Sequence, residues 1–187
     1  QYRIAERGAE FADAASGYRI AQALGDVLML RGRYDEAAGW FARAAGLAEA
    51  RYDRAQIRCK LGELAFKRGD METATAAFEE SLRMLGAMVP RRLPGFVIML
   101  AFEAFVQIWH TLLPRIFVAR RRRTPSPAEV LSWRVFSRLA HGYWFTRGKV
   151  HVLWTHIRGM NLAERYEPTL ELAQAYSEHA PAMSLIP

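Results

Sequence analysis

The sequence predicts an all-α protein: a right-handed superhelical solenoid of antiparallel helical hairpins, with one long apolar helix inserted. Two observations lead to this prediction. Ala, Leu, Arg and Glu dominate the 187 residues and runs of β-branched residues are scarce, which favours helices. Two stretches also repeat each other at a spacing of 37 residues, a period typical of helical hairpins that stack on their neighbours.

The repeat is defined by small and aromatic residues. The matching positions are Leu24-Gly25 and Leu61-Gly62, Gly32 and Gly69, Ala37 and Ala74, and Phe41 and Phe78. The small residues let the paired helices approach closely, and the phenylalanines fill the space between them. Each copy is therefore predicted to be a helix, a turn at a glycine that supplies the left-handed conformation, and a second helix.

Residues 1–90 are predicted to contain two such hairpins, preceded by the end of another helix at residues 2–7. The first helix spans about residues 9–31. Its partner begins with the acidic pair Asp35-Glu36, which the positive end of a helix dipole favours. The helices of the second copy are predicted over residues 53–68 and 71–86.

Residues 91–125 are predicted to form a long apolar helix followed by a basic, proline-containing linker. The helix, residues 95–119, is long enough to cross a membrane. However, Glu103, Gln107 and His110 form a narrow polar stripe along it, and a carboxylate at mid-bilayer costs about 2.5–3.5 kcal/mol. We therefore expect the helix to pack on the solenoid, with this stripe toward water or a polar groove. Its apolar face should contact neighbouring helices through Phe96, Leu100, Phe102, Phe105, Trp109 and Leu112.

Arginines flank the apolar segment and contribute to a net charge of +7. The alternative to packing is therefore a membrane surface, where Arg91-Arg92 and Arg120 to Arg123 would meet anionic head groups. A nucleic-acid partner is not expected, because no aromatic platform or recognition-helix pattern accompanies these arginines.

Residues 126–187 are predicted to hold further helical hairpins, which stop at residues 184–187 just after the first helix of another unit. Ser126 has the position of an N-cap, Pro127 of the first helical residue and Glu129 of the capping-box partner. Helices are predicted from there to residue 147, then over 149–166 and 168–179.

The repeated positions match the pattern of a known motif. The first unit, from Tyr18, carries Gly25, Gly32, Ala37, Phe41 and Ala44, and the second, from Ala55, carries Gly62, Gly69, Ala74, Phe78 and, in place of Ala, Ser81. On these residues the chain resembles a tetratricopeptide repeat (TPR) region. A third unit, from Arg134, keeps Gly148 but has His141 where the motif asks for a small residue.

The C-terminal part resembles a more particular group. Residues 143–149, 161–166 and 172–180 are similar to the C-terminal repeats of bacterial STAND-type ATPase signalling proteins fused to adenylate/guanylate cyclase or Ser/Thr kinase domains. This resemblance implies a cytoplasmic protein-interaction or regulatory scaffold segment of a multidomain signal-transduction protein. The alternative is an accessory part of such a nucleotide-dependent enzyme, with its catalytic domains outside this chain.

The TPR resemblance also implies a binding groove lined by the first helix of each unit. Its partner would be a protein or peptide, apolar with a few charges, or another part of the same polypeptide, including the chain's own apolar helix. The positions that line the groove in such arrays correspond here to Arg19, Gln22, Asp26, Met29, Leu30, Gln56, Cys59, Glu63, Phe66 and Lys67.

No catalytic, cofactor-binding or metal site is predicted for this chain. His151 and His156 are five residues apart and so do not share a helix face well, which argues against a pair of metal ligands. No Gly-x-Ser-x-Gly elbow, phosphate-binding Gly-x-x-x-x-Gly-Lys-Ser/Thr loop or kinase His-Arg-Asp is present. The single cysteine, Cys59, fits a reducing compartment and is expected to be a buried thiol.

Overall fold

The computed structural model describes residues 13–183, and this part of the chain is all-helical, as the composition predicts. The predicted helix end at residues 2–7 and the end of the last unit at residues 184–187 lie outside the described residues. The helices are α1 (Ala14–Leu30), α2 (Tyr34–Leu47), α3 (Arg51–Lys67), α4 (Met71–Met84), α5 (Leu93–Leu112), α6 (Pro114–Phe117), α7 (Pro127–Thr146), α8 (Lys149–Ala163) and α9 (Leu170–Met183).

The chain divides between Leu85 and Gly86 into two compact units. The first contains α1 to α4. Helices α1 and α2 form one hairpin, α3 and α4 form the other, and the two hairpins meet where α2 packs on α3. The second contains α5 to α9, so the long apolar helix belongs to the same unit as the C-terminal helices.

Local sequence signals set the ends of the helices in the first unit. The side chain of Asp13 accepts a hydrogen bond from the Ser16 backbone at 2.9 Å, and Asp70 accepts one from the Thr73 backbone at 3.0 Å. These are N-caps of α1 and α4, and each satisfies a backbone donor that the helix leaves unpaired. The turns that close the two hairpins place Gly32 at φ 73° and Gly69 at φ 82°, which a side chain would strain.

The core of the first unit lies between the helices of its hairpins. Ala37, Phe41 and Ala44 of α2 face Ala21 and Leu28 of α1. These residues are fully or almost fully buried, and the small ones allow the helix axes to come close. The apolar faces of α1 and α2 are thus the surfaces that pack.

In the second unit, α7 begins as the sequence predicts. Ser126 accepts a hydrogen bond from the Glu129 backbone at 3.3 Å, while Glu129 accepts one from the Ser126 backbone at 2.8 Å. This reciprocal pair is a capping box, and Pro127 occupies the first turn. Arg123 donates to Glu129 and so lowers the pKa of that carboxyl far below its usual range, although burial opposes the shift.

The prediction of a single helix over residues 95–119 is wrong about where the helix ends. Helix α5 stops at Leu112, and the short α6 begins at Pro114. Proline has no backbone N–H to donate and its ring clashes with the preceding turn, so the helix cannot continue through it. The chain then passes beside the end of α8, where the backbone N–H groups of Ala119 and Arg121 donate to Glu164 and Arg165.

The predicted orientation of α5 is also wrong. Its polar stripe is turned inward, against α8, with Glu103 only 1% exposed and His110 only 3%. Glu103 lies 2.6 Å from the guanidinium of Arg158 and accepts a hydrogen bond from Asn161 at 2.8 Å. These partners explain the difference, because a buried carboxylate is stable only where a counter-charge and donors meet it.

Because the polar side of α5 faces α8, its apolar side points outward. Of the residues predicted to contact neighbouring helices, Phe96 does so: it is buried, with its ring centroid 5.0 Å from that of Trp154 and 5.9 Å from that of Tyr143. Leu100 is half-buried. Phe102, Phe105, Trp109 and Leu112 are instead 58%, 57%, 39% and 65% exposed.

Candidate functional site

The two hairpins of the first unit are built around the same contact. A Cβ atom placed on Gly25 would lie 2.5 Å from the ring of Phe41, and one placed on Gly62 would lie 2.8 Å from the ring of Phe78. Each phenylalanine therefore packs directly on helix backbone, which brings the two helices of a hairpin close together. Because the contact recurs at matching positions, α1 and α3 hold equivalent places in their hairpins.

The residues predicted to line a groove divide by burial. On α1, Arg19 and Leu30 are exposed, Gln22 and Asp26 are half-buried, and Met29 is buried in the core. On α3, Lys67 is exposed, Gln56, Glu63 and Phe66 are half-buried, and Cys59 is buried with its sulfur 3.6 Å from Glu63 Oε1. Met29 and Cys59 thus contribute to packing and present little surface to a ligand.

A polar layer joins α1 to α3. Lys60 Nζ lies 3.0 Å from Asp26 Oδ1 and 3.7 Å from Glu63 Oε2. Farther along, the hydroxyl of Tyr18 donates to Gln56 Oε1 at 3.1 Å. Burial, and then the charge of Asp53, raise the pKa of Tyr18 well above its usual value, so this phenol keeps its proton. The structure therefore brings Asp26, Gln56 and Glu63 together on one surface.

Sequence reasoning missed Lys60, which holds that layer together. Its position three residues before Glu63 is a signal for a helical ion pair that was available in the sequence. The pairing of Lys60 with Asp26 could not be predicted in this way, because the two residues are 34 positions apart and meet only through the packing of their helices.

The second unit carries an exposed surface of a different kind. Six of the exposed large apolar side chains of α5 lie along one side of the helix, and we call them the α5 apolar face: Ile98, Phe102, Phe105, Ile108, Trp109 and Leu112. Helix α5 is also the helix, among those described, that is long and apolar enough to cross a membrane by length and composition, and only 17% of its most apolar window is buried.

A cleft of about 500 Å³ opens among α7, α8 and α9. It is lined by Trp144, Phe145, Val152 and His156, and the His156 ring stacks on His179 with 3.1 Å between Nε2 and Nδ1. Burial, and then the charge of His179, lower the pKa of His156 to about 4, so this imidazole is neutral at physiological pH. Sequence spacing missed the pair because the two residues lie on different helices.

Within residues 13–183, no group of three or more His, Cys, Asp or Glu side chains is placed to hold a metal ion. In comparisons with known proteins, the chain matches no protein-family model and no curated protein.

Proposed function

We propose that the first unit is a pair of TPR-like repeats from a right-handed superhelix, and that it binds a protein or peptide along α1 and α3. The observation that carries the proposal is the recurrence of the Gly25–Phe41 contact at Gly62–Phe78. Two hairpins with the same packing, joined in tandem, are the elementary unit of a solenoid, and solenoids use their repeated helices as extended binding surfaces.

The chemistry of the surface defines the partner. Arg19 lies near the start of α1 and Lys67 at the end of α3, and both are exposed. Leu30 and the half-buried Phe66 supply apolar area between and beside charged groups. A partner with an apolar side and a few acidic residues fits this combination, as an amphipathic helix or an extended peptide would.

We further propose that the chain serves as a regulatory scaffold segment, without catalysis of its own, in a cytoplasmic bacterial signalling protein. The support for this setting is the similarity of the C-terminal residues to the repeats that accompany STAND-type ATPase, cyclase and kinase domains. Nucleotide titration tests the non-catalytic part: ATP binding or turnover by residues 1–187 would replace the scaffold with part of an enzyme.

The binding proposal is tested by selecting peptides on the immobilised full chain and measuring their affinities for variants in solution. We expect Arg19→Glu with Lys67→Glu to weaken the selected acidic peptides at least tenfold, since both positive charges are reversed on exposed positions. Ala42→Glu, on the exposed side of α2, is the matched control and should leave affinity unchanged. Equal loss in the control, or no loss in the charge-reversed variant, would reject α1 and α3 as the binding surface.

A further inference from the structure

The polarity of α5 is opposite to that of a helix in a water-soluble bundle. Its charged and amide groups are inside, and its exposed side is hydrocarbon. At 3.6 residues per turn, the side chains of the α5 apolar face and the exposed Val97 lie within an arc of about 140° around the helix. Val97 and Phe102 are at the two edges of this arc. The face continues onto the next element through Leu113 and Ile116, which are also exposed.

The carboxylate and the imidazole on the buried side of α5 have partners within the protein, whereas Gln107 Oε1 has no hydrogen-bond partner among the described residues. Glu103 pairs with Arg158 and Asn161, while His110 Nδ1 lies 2.5 Å from Glu164 Oε2. Gln107 and Tyr176 also donate to Glu164, at 3.4 Å and 2.8 Å. Such internal pairing matters most where the surroundings cannot supply hydrogen bonds, as hydrocarbon cannot.

Positive charge lies at both ends of the α5 apolar face. Arg91 and Arg92 precede the helix, and Arg115, Arg120 and Arg122 follow it. All five are exposed, and among the described residues none of them is in an ion pair with an acidic side chain. The arginines that do have acidic partners here, Arg121 and Arg123, both share Glu129.

This charge distribution selects the occupant of the face. A second copy of the chain would bring arginines against arginines whether the two α5 helices ran parallel or antiparallel, because both ends carry the same sign. An anionic surface meets both ends favourably. Helix α5 is 20 residues long, about 30 Å, so its two ends reach head groups together when the helix lies flat.

We infer that the α5 apolar face docks onto an anionic lipid bilayer, with α5 lying in the plane of the interface and the flanking arginines on the head groups. Only one side of α5 enters the lipid, because α8 covers the other and carries Arg158 and Asn161. The inference concerns a different surface from the proposed peptide-binding helices and does not depend on them.

The first test is co-sedimentation of the full chain with vesicles of phosphatidylcholine alone and of phosphatidylcholine with phosphatidylglycerol in equal parts. Pelleting is expected with the anionic vesicles and should fall as salt is raised, because the arginines are screened. Phe105→Asp should weaken partitioning at least tenfold, and Arg120→Ala with Arg122→Ala about fivefold per residue. Leu170→Asp, at an exposed apolar residue at the start of α9, is the matched control and should bind as the unchanged chain does.

The second test measures depth through Trp109, which lies on the face. Lipids brominated near the head-group end of the acyl chain should quench fluorescence more than lipids brominated near the chain terminus, and Trp109→Phe should remove this quenching. Circular dichroism of each variant establishes that it is folded. Failure to pellet, pelleting unaffected by Phe105→Asp, or stronger quenching from the bilayer midplane would overturn the inference. A lipid-free dimer that Phe105→Asp converts to monomer would assign the face to a second copy instead.

Discussion

The buried pair Glu103–Arg158 makes a quantitative prediction about the second unit. Glu103 is 1% exposed and its carboxylate accepts from both Arg158 and Asn161. Glu103→Ala therefore leaves the guanidinium without its acceptor, while the Asn161 amide keeps only the backbone carbonyl of residue 103. Removing one partner of a buried ion pair costs about 3–5 kcal/mol. Because the Arg158 side chain keeps 22% exposure and can regain some water, we expect the lower end, about 3 kcal/mol of unfolding free energy.

Two further variants separate charge from contact. Glu103→Gln keeps an oxygen that can accept from Asn161 but loses the charge, so it should cost less than Glu103→Ala. The double variant Glu103→Leu with Arg158→Met replaces the pair by apolar groups and should recover most of the loss, since buried pairs are often no better than hydrophobic residues. The matched control is Arg134→Ala, which breaks the more exposed pair with Glu171 and should cost about 0.5 kcal/mol.

The assay is urea unfolding followed by tryptophan fluorescence. Four of the five tryptophans lie in the second unit, and Trp40→Phe as the background removes the fifth, which makes the signal specific to that unit. The two units need not unfold together, so a signal confined to one of them is required. Equal, small losses in Glu103→Ala and Arg134→Ala would refute the buried pair and the inward orientation of α5.

Three other sets of substitutions follow from local geometry. Gly25→Ala places a Cβ atom 2.5 Å from a buried ring and should destabilise the first unit by about 1–3 kcal/mol, whereas Gly39→Ala, with open space around it, should stabilise α2 by about 0.5–1 kcal/mol in thermal unfolding. Ser126→Ala removes the capping box of α7 and should cost about 1 kcal/mol of unfolding free energy. His156 has a folded pKa of about 4 against 6.5 when unfolded, so between these values the unfolded chain binds the extra proton. Stability contributed by the neutral ring is complete above pH 6.5 and falls by at most about 3 kcal/mol toward pH 4, and His156→Leu should flatten that part of the pH profile in urea titrations.

Each of these has a contrary result. A neutral Gly25→Ala would mean that the helices of the first hairpin are not in close contact. An unchanged Ser126→Ala would mean that α7 does not depend on its cap. A pH profile that His156→Leu leaves unaltered would mean that His156 is not the source of the acid sensitivity.

Local features were predictable from the sequence because their causes lie within a few residues. The glycines at residues 32 and 69 end helices through their own backbone freedom. The capping box at Ser126 needs only a partner three residues away, and both partners are in the expected places. These features fixed the ends of most helices to within a few residues.

The orientation of α5 could not be predicted in the same way. Its polar stripe was correctly recognised, but the partners of Glu103 lie 55 and 58 residues farther along the chain. Without knowledge of these partners, a carboxylate is expected to face water, and the opposite, apolar side of the helix is then expected to face the core. The groove positions taken from the TPR pattern include two residues, Met29 and Cys59, that are buried in the structure. Their burial could not be predicted either, because it depends on how closely neighbouring helices pack.

The distance in sequence between α5 and its polar partners also has a consequence for biosynthesis. Glu103 leaves the peptidyl-transferase centre 55 residues before Arg158, which at about 5–20 residues per second is a delay of roughly 3–11 s. During that interval the carboxylate of the nascent helix has no counter-charge, and neither side of the helix is covered. A surface that holds the apolar side during this period would keep the unpaired helix from aggregating, so the yield of folded chain should respond to membranes or chaperones supplied during translation rather than afterwards.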